Sequence, residues 1–132
     1  MKKLSVFIIL SLALVLLLSA CGSSGAQTSY KMTMVDFGFQ PMELTVPANK
    51  SITITLVNSG STDHDWTLVS KEVTPPFGDK DKANVLAQKT VAGGQTADIT
   101  FTSPATPGDY QIICSVAGHL ESGMKGTLHV TQ

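Results

Sequence analysis

The chain has 132 residues, with nine Lys, no Arg and ten acids, for a formal charge of −1 at pH 7. A slightly acidic chain without Arg lacks the clustered cations that neutralise phosphates, which excludes nucleic acid as an expected partner.

Met1, Lys2 and Lys3 form a short positive head, and Leu4 to Leu18 is apolar throughout except for Ser5 and Ser11. Fifteen such residues fall short of the about 20 needed to cross a bilayer. They suit the apolar stretch of a secretory signal better than an uncleaved anchor. Leu18-Ser19-Ala20-Cys21 then resembles the bacterial lipobox, in which cleavage precedes the cysteine and its sulfur takes a diacylglyceryl group. Several acyl chains on one residue hold a protein on a bilayer stably, whereas one does so only marginally. Residues 1–20 are therefore expected to be a lipoprotein signal peptide, and a lipidated Cys21 to begin a mature chain of 112 residues. That chain carries a formal charge of −3 and would be anchored to the cell membrane, facing the periplasm or the cell exterior.

Gly22 to Ser29 is small and polar, so residues 21–29 read as a flexible tether ahead of a domain over 30–132. Lys31 to Phe39 is a mixed run, and Glu43 to Val46 alternates up to Pro47. Ser51 to Asn58 sets Ile52, Ile54 and Leu56 against Ser51, Thr53 and Thr55, a clear period of two. Trp66 to Val69, Thr96 to Thr102, Asp109 to Cys114 and Thr127 to Val130 complete a set of short strands separated by turn residues. The pattern predicts an all-β sandwich or barrel. Residues 71–92 break it, with Pro75-Pro76 and the charged run Asp79 to Lys82. They read as one long connection over the sandwich, with a helical turn over 83–88.

If Cys21 is lipidated, Cys114 is left in an oxidising compartment with no partner, so either it is an inert core thiol or it has other work. Its surroundings favour the second reading. Cys114, His119 and Met124 recur at intervals of five between two predicted strands, and His64 lies at a strand end fifty positions earlier. Two imidazoles, a thiolate and a weak axial thioether are what a type 1 copper site requires. Zinc normally takes no thioether, and its structural sites use shorter spacings.

Tyr110 to Val130 resembles the copper-binding end of the cupredoxin family, and the Cys-x4-His-x4-Met spacing is most similar to that of auracyanins. Asp36 to Leu68 is similar to the strand–turn–strand that leads to the family's first histidine ligand. The resemblance implies a Greek-key β-sandwich holding one type 1 copper ion. It assigns His64 and His119 as the imidazole ligands, Cys114 as the thiolate and Met124 as the axial ligand. It further implies a carrier that shuttles single electrons between redox partners; the Cys21 tether suggests that those partners are membrane-bound redox proteins, and the carrier is expected to be monomeric and not an enzyme. One departure stands out. Many members have Asn after the first histidine, whereas this chain has Asp65, which could accept a hydrogen bond from Ser115 and, if ionised, favour Cu(II).

The remaining candidates read more simply. His129 is expected to face solvent, Met32, Met34 and Met42 to be core or rim, and Trp66 to pack near the site. Val116, Ala117, Gly118 and Leu120 flank His119 and are expected to form an apolar docking patch. A multicopper enzyme would need more histidines, and a binuclear centre a second nearby cysteine. A copper carrier or storage protein could use the same four ligands.

Overall fold

Burial follows the period of two in Ser51–Asn58 (β4), where Ile52, Ile54 and Leu56 are inaccessible and Thr53 and Thr55 half-buried. The computed structural model describes residues 25–132. The expected signal peptide over 1–20, the lipidated Cys21 and the start of the tether lie outside them. Within a four-stranded sheet, β4 runs parallel to Ser29–Val35 (β1) and antiparallel to Thr96–Thr102 (β7), and Gly38–Gln40 (β2) pairs with the other edge of β1.

Five strands make the second sheet: Glu43–Pro47 (β3), His64–Val69 (β5), Val85–Val91 (β6), Gly108–Ile113 (β8) and Lys125–Thr131 (β9). Their spatial order is β3-β9-β8-β5-β6, and β3 runs parallel to β9. The chain changes sheet after β2, β3, β4, β6 and β7, which is the wiring of a Greek-key sandwich. Met32 and Met34 of β1 join the inward residues of β4 and meet Trp66, Leu68, Ile112, Leu128 and Val130 from the opposite sheet.

All six residues of β5 are buried. A central strand reaches that state only if both faces are covered, and here they are. His64, Trp66 and Leu68 alternate on the face that includes the main core, while Val69 joins Val73, Ile113 and Leu120 in a smaller cluster with Phe77 and Val85 packed on it. Residues 70–84 thus lie over the sandwich as expected.

The connection is shorter than the expected 71–92, because Val85–Val91 is an edge strand paired with β5. Most of its residues are exposed or half-buried, so it lacks the strong apolar alternation that marks a strand in sequence. Lys89 on such an edge is a usual guard against further pairing. The helical turn lies earlier than expected, as a 3-10 turn over Asp79–Asn84. Asp81 is buried there and accepts the Gly78 N–H at 3.0 Å, while Asp79 and Lys82 pair in solvent at 2.7 Å.

Candidate metal centre

His64 begins β5, on the same face as Trp66 and Leu68, and is 1% exposed. The turn that delivers it is knotted by Asn58, which donates to the Thr62 and Val91 carbonyls at 2.8 Å each and accepts the Gly60 N–H at 3.0 Å. Gly60 lies so close that a Cβ there would meet Asp36 Oδ1 at 2.5 Å and His64 Nε2 at 2.8 Å. Any larger residue would displace the imidazole.

Cys114 directly follows β8 and is fully buried. The loop from 115 to 124 folds tightly back, with Gly118 and Gly123 at φ of +85° and +92°, where a side chain would be strained. Three of its backbone bonds link the ligand positions: His119 N–H to Val116 O at 3.0 Å, Met124 N–H to His119 O at 3.0 Å, and Cys114 N–H to Met124 O at 3.1 Å. The five-residue spacing in the sequence is therefore one compact turn. Met124 is locked by its backbone to both Cys114 and His119, and its side chain is fully buried in the core.

Three donor atoms converge. His64 Nδ1 lies 3.1 Å from His119 Nδ1, and Cys114 Sγ lies 3.3 Å from His119 Nδ1 and 4.0 Å from His64 Nδ1. These are the described residues whose His, Cys or carboxylate atoms group tightly enough to hold a metal ion. An ion about 2.0–2.1 Å from nitrogen and about 2.3 Å from sulfur needs trigonal edges of roughly 3.5–3.8 Å. The observed triangle brackets those lengths. Two Nδ1 atoms and a thiol sulfur form the mixed N/S set that copper takes in a trigonal site.

Burial pushes the Cys114 thiol above its ordinary range, while the N–H groups of Asp65 and Val116 draw it back. The Asp65 N–H reaches the sulfur at 3.4 Å. Sulfur in such a place is expensive to ionise alone, and a bound cation displaces its proton.

Asp65, 4% exposed, accepts four hydrogen bonds: Ser115 N–H at 2.7 Å, Ser115 O–H at 2.5 Å, Thr67 O–H at 2.9 Å and Gln88 Nε2 at 3.3 Å. Gln88 also donates to Ser115 Oγ at 2.9 Å. The bond to Ser115 expected from sequence is therefore present. It ties the strand of the first histidine to the loop of the other ligands.

Leu120 is not part of a docking patch. It is 3% exposed and packs with Val69, Val73 and Ile113, because the tight loop turns it inward. Ala117 and Gly118 are exposed, Val116 half-buried, and Phe37 is 54% exposed with its ring edge-on to His119 at 5.8 Å. Phe37, Asp36, Asn58 and Gly60 were not singled out from sequence, where the first two fall within the mixed run Lys31 to Phe39 and the other two read only as strand-end or turn residues. Trp66 packs on Phe101 with ring centroids 5.2 Å apart, and its Nε1 is buried without a partner among the described residues. Met32 and Met34 are core and Met42 is exposed rim. His129 is one-third exposed and lies between Asp109 at 2.6 Å and Glu43 at 3.4 Å.

A two-sheet sandwich with buried His and Cys donors at one end defines a class of metalloprotein, and residues 8–130 match the model of the cupredoxin-like domain. The chain belongs to the cupredoxin family. Auracyanin-A of Chloroflexus aurantiacus is 31% identical over 138 residues, spanning 81% of this chain and 85% of the relative. The crystal structure of dithionite-reduced auracyanin from Roseiflexus castenholzii is similar with a TM-score of 0.69 and 28% identity, covering 82% of this chain and all of that one. That of auracyanin A from Chloroflexus aurantiacus, described as a "blue" copper protein, gives 0.61 and 30%, covering 76% and 99%. The donor set and the family together are those of one type 1 copper ion.

Proposed function

We propose that this chain is a membrane-tethered, one-electron carrier whose copper is held by His64, Cys114, His119 and Met124. The observation that carries the reading is the buried triangle of two Nδ1 atoms and Cys114 Sγ, with edges of 3.1–4.0 Å. Copper in such a site supplies one-electron exchange between Cu(II) and Cu(I). The protein's own residues supply the rest.

Strand β5 and the 115–124 loop hold their donors in place by backbone hydrogen bonds that do not involve a metal. The Asp65 bridge fastens the two together. Donors fixed in this way have little to rearrange when charge changes, which suits electron exchange better than uptake and release. Burial of His64, Cys114 and Met124 keeps water from them, while half-buried His119 reaches the rim.

In this reading residues 1–20 are removed as a signal peptide, Cys21 is lipidated, residues 21–29 tether, and residues 30–132 form the copper domain outside the cytoplasm. Membrane-bound redox proteins are the donor and acceptor, and the carrier works as a monomer. Among the described residues no helix is long and apolar enough to cross a membrane.

Voltammetry of the copper-loaded protein, paired with a copper-transfer assay, tests the electron-carrier reading. We expect a reversible one-electron wave and copper that stays bound in both oxidation states against a moderate chelator. Irreversible reduction with prompt loss of copper would instead assign the chain to copper delivery or storage.

A further inference from the structure

The turn between β1 and β2 carries two oddities in adjacent residues. Phe37 has φ of +64°, a backbone conformation that bulky side chains rarely adopt, and over half its surface is in solvent. Strain of this kind persists only where the surroundings impose it, and it concentrates at functional sites. Its ring meets that of His119 edge-on, at 5.8 Å and an interplanar angle of 76°. The preceding residue, Asp36, points an oxygen at His64 Nε2 from 3.4 Å, across the gap that Gly60 leaves open. One two-residue turn therefore touches both imidazoles of the donor triangle from outside it.

We propose that the Asp36–Phe37 turn is a positioning clip: Asp36 fixes the tautomer of His64, and Phe37 fixes the ring plane of His119. This rests on the copper reading only for its purpose, since the contacts exist in the fold itself. A carboxylate only accepts, so Nε2 of His64 must donate to Asp36. Nδ1 is then left with its lone pair facing Cys114 and His119, as a metal ligand requires. A carboxylate behind a ligand imidazole also makes it a stronger donor, and loss of such a partner typically costs about 10–100-fold in metal affinity. Phe37 acts differently. Its ring blocks rotation of His119, which is the half-buried member of the triangle and the one least held by the core.

The test uses the full chain with three substitutions on this exposed turn, with thermal unfolding as a control for folding. Nitrogen NMR of the copper-free protein should show His64 as the single Nε2–H tautomer in wild type and as a mixture in Asp36→Ala. Asp36→Asn, which keeps an oxygen acceptor, should restore the single tautomer. Cu(I) affinity measured by chelator competition should fall about 10–100-fold in Asp36→Ala and be largely rescued in Asp36→Asn. Phe37→Gly should unfold no earlier than wild type, because glycine takes a positive φ freely. It should nevertheless broaden the His119 ring signals and alter the Cu(II) spectrum. A wild-type tautomer pattern and affinity in Asp36→Ala would remove Asp36 from the clip, and unchanged His119 signals and spectrum in Phe37→Gly would remove Phe37. If wild type bound copper without a thiolate band, the copper reading would fall, while the copper-free NMR comparison would still decide the clip.

Discussion

Asp65 illustrates how much one side chain can carry. Its carboxylate takes four donors while its own N–H approaches Cys114 Sγ, so it joins β5, the edge strand and the ligand loop. Removing it outright would leave the buried Thr67 O–H and the half-buried Ser115 N–H without their acceptor, each at a cost of about 1–3 kcal/mol. Asp65→Ala should therefore lower stability by roughly 3 kcal/mol or more in denaturant unfolding. Asp65→Asn keeps one acceptor oxygen and most of the tie, but loses the charge beside the sulfur. That variant should keep its copper colour and show a higher reduction potential; an unchanged potential would mean the carboxylate does not tune the ion. His129 makes a separate prediction far from the centre. Hydrogen bonds that His129 donates to Asp109 on β8 and Glu43 on β3 raise its pKa above the ordinary 6.5. The protonated form is thus favoured by folding, and its contribution is complete below about pH 6.5 and fades as pH rises through the folded value. The stability difference between wild type and His129→Gln should shrink across that rise. A difference independent of pH would show the pairs to be idle.

At the scale of elements, the 115–124 loop decides what is ligand, core and surface. Its two positive-φ glycines and three backbone bonds turn Met124 back to Cys114, and the same winding buries Leu120 against Val69, Val73 and Ile113. Leu120→Ala should cost about 2–5 kcal/mol, as for a buried leucine elsewhere, and Leu120→Lys should destabilise the fold instead of merely slowing a partner. Calorimetry that found Leu120→Lys as stable as wild type would place this side chain in solvent after all. The Cys-x4-His-x4-Met spacing was legible because the three residues belong to one local turn. Leu120 was misjudged because linear proximity to His119 says nothing of which way a tight loop points its side chains. Strand β6 was missed for the opposite reason: an edge strand buries little, so Val85–Val91 shows no strong alternation. The central strand β4, the alternating edge strand β7 and the inward faces of β8 and β9 follow their apolar pattern, and the two-sheet architecture was legible from them.

At the scale of the whole molecule, the sandwich acts as a frame that brings residues 64 and 114 together from fifty positions apart. No local motif could have shown that approach; it depends on β5 and β8 pairing through Thr67–Ile113 and Leu68–Ile112. The Asp36–Phe37 turn reaches the same end of the sandwich from the other sheet, by way of β1 beside β4. Such contacts across sheets are set by topology and have no signature in spacing. The frame also explains why a buried thiol can be kept without a disulfide partner among the described residues, since Cys114 sits where donors from separate elements converge. The most direct test of that convergence is the visible spectrum of the protein with one equivalent of Cu(II). The geometry predicts an intense blue or green thiolate-to-copper band that vanishes in Cys114→Ser while the variant stays folded. A pale spectrum typical of nitrogen and oxygen ligands, identical in wild type and Cys114→Ser, would contradict it.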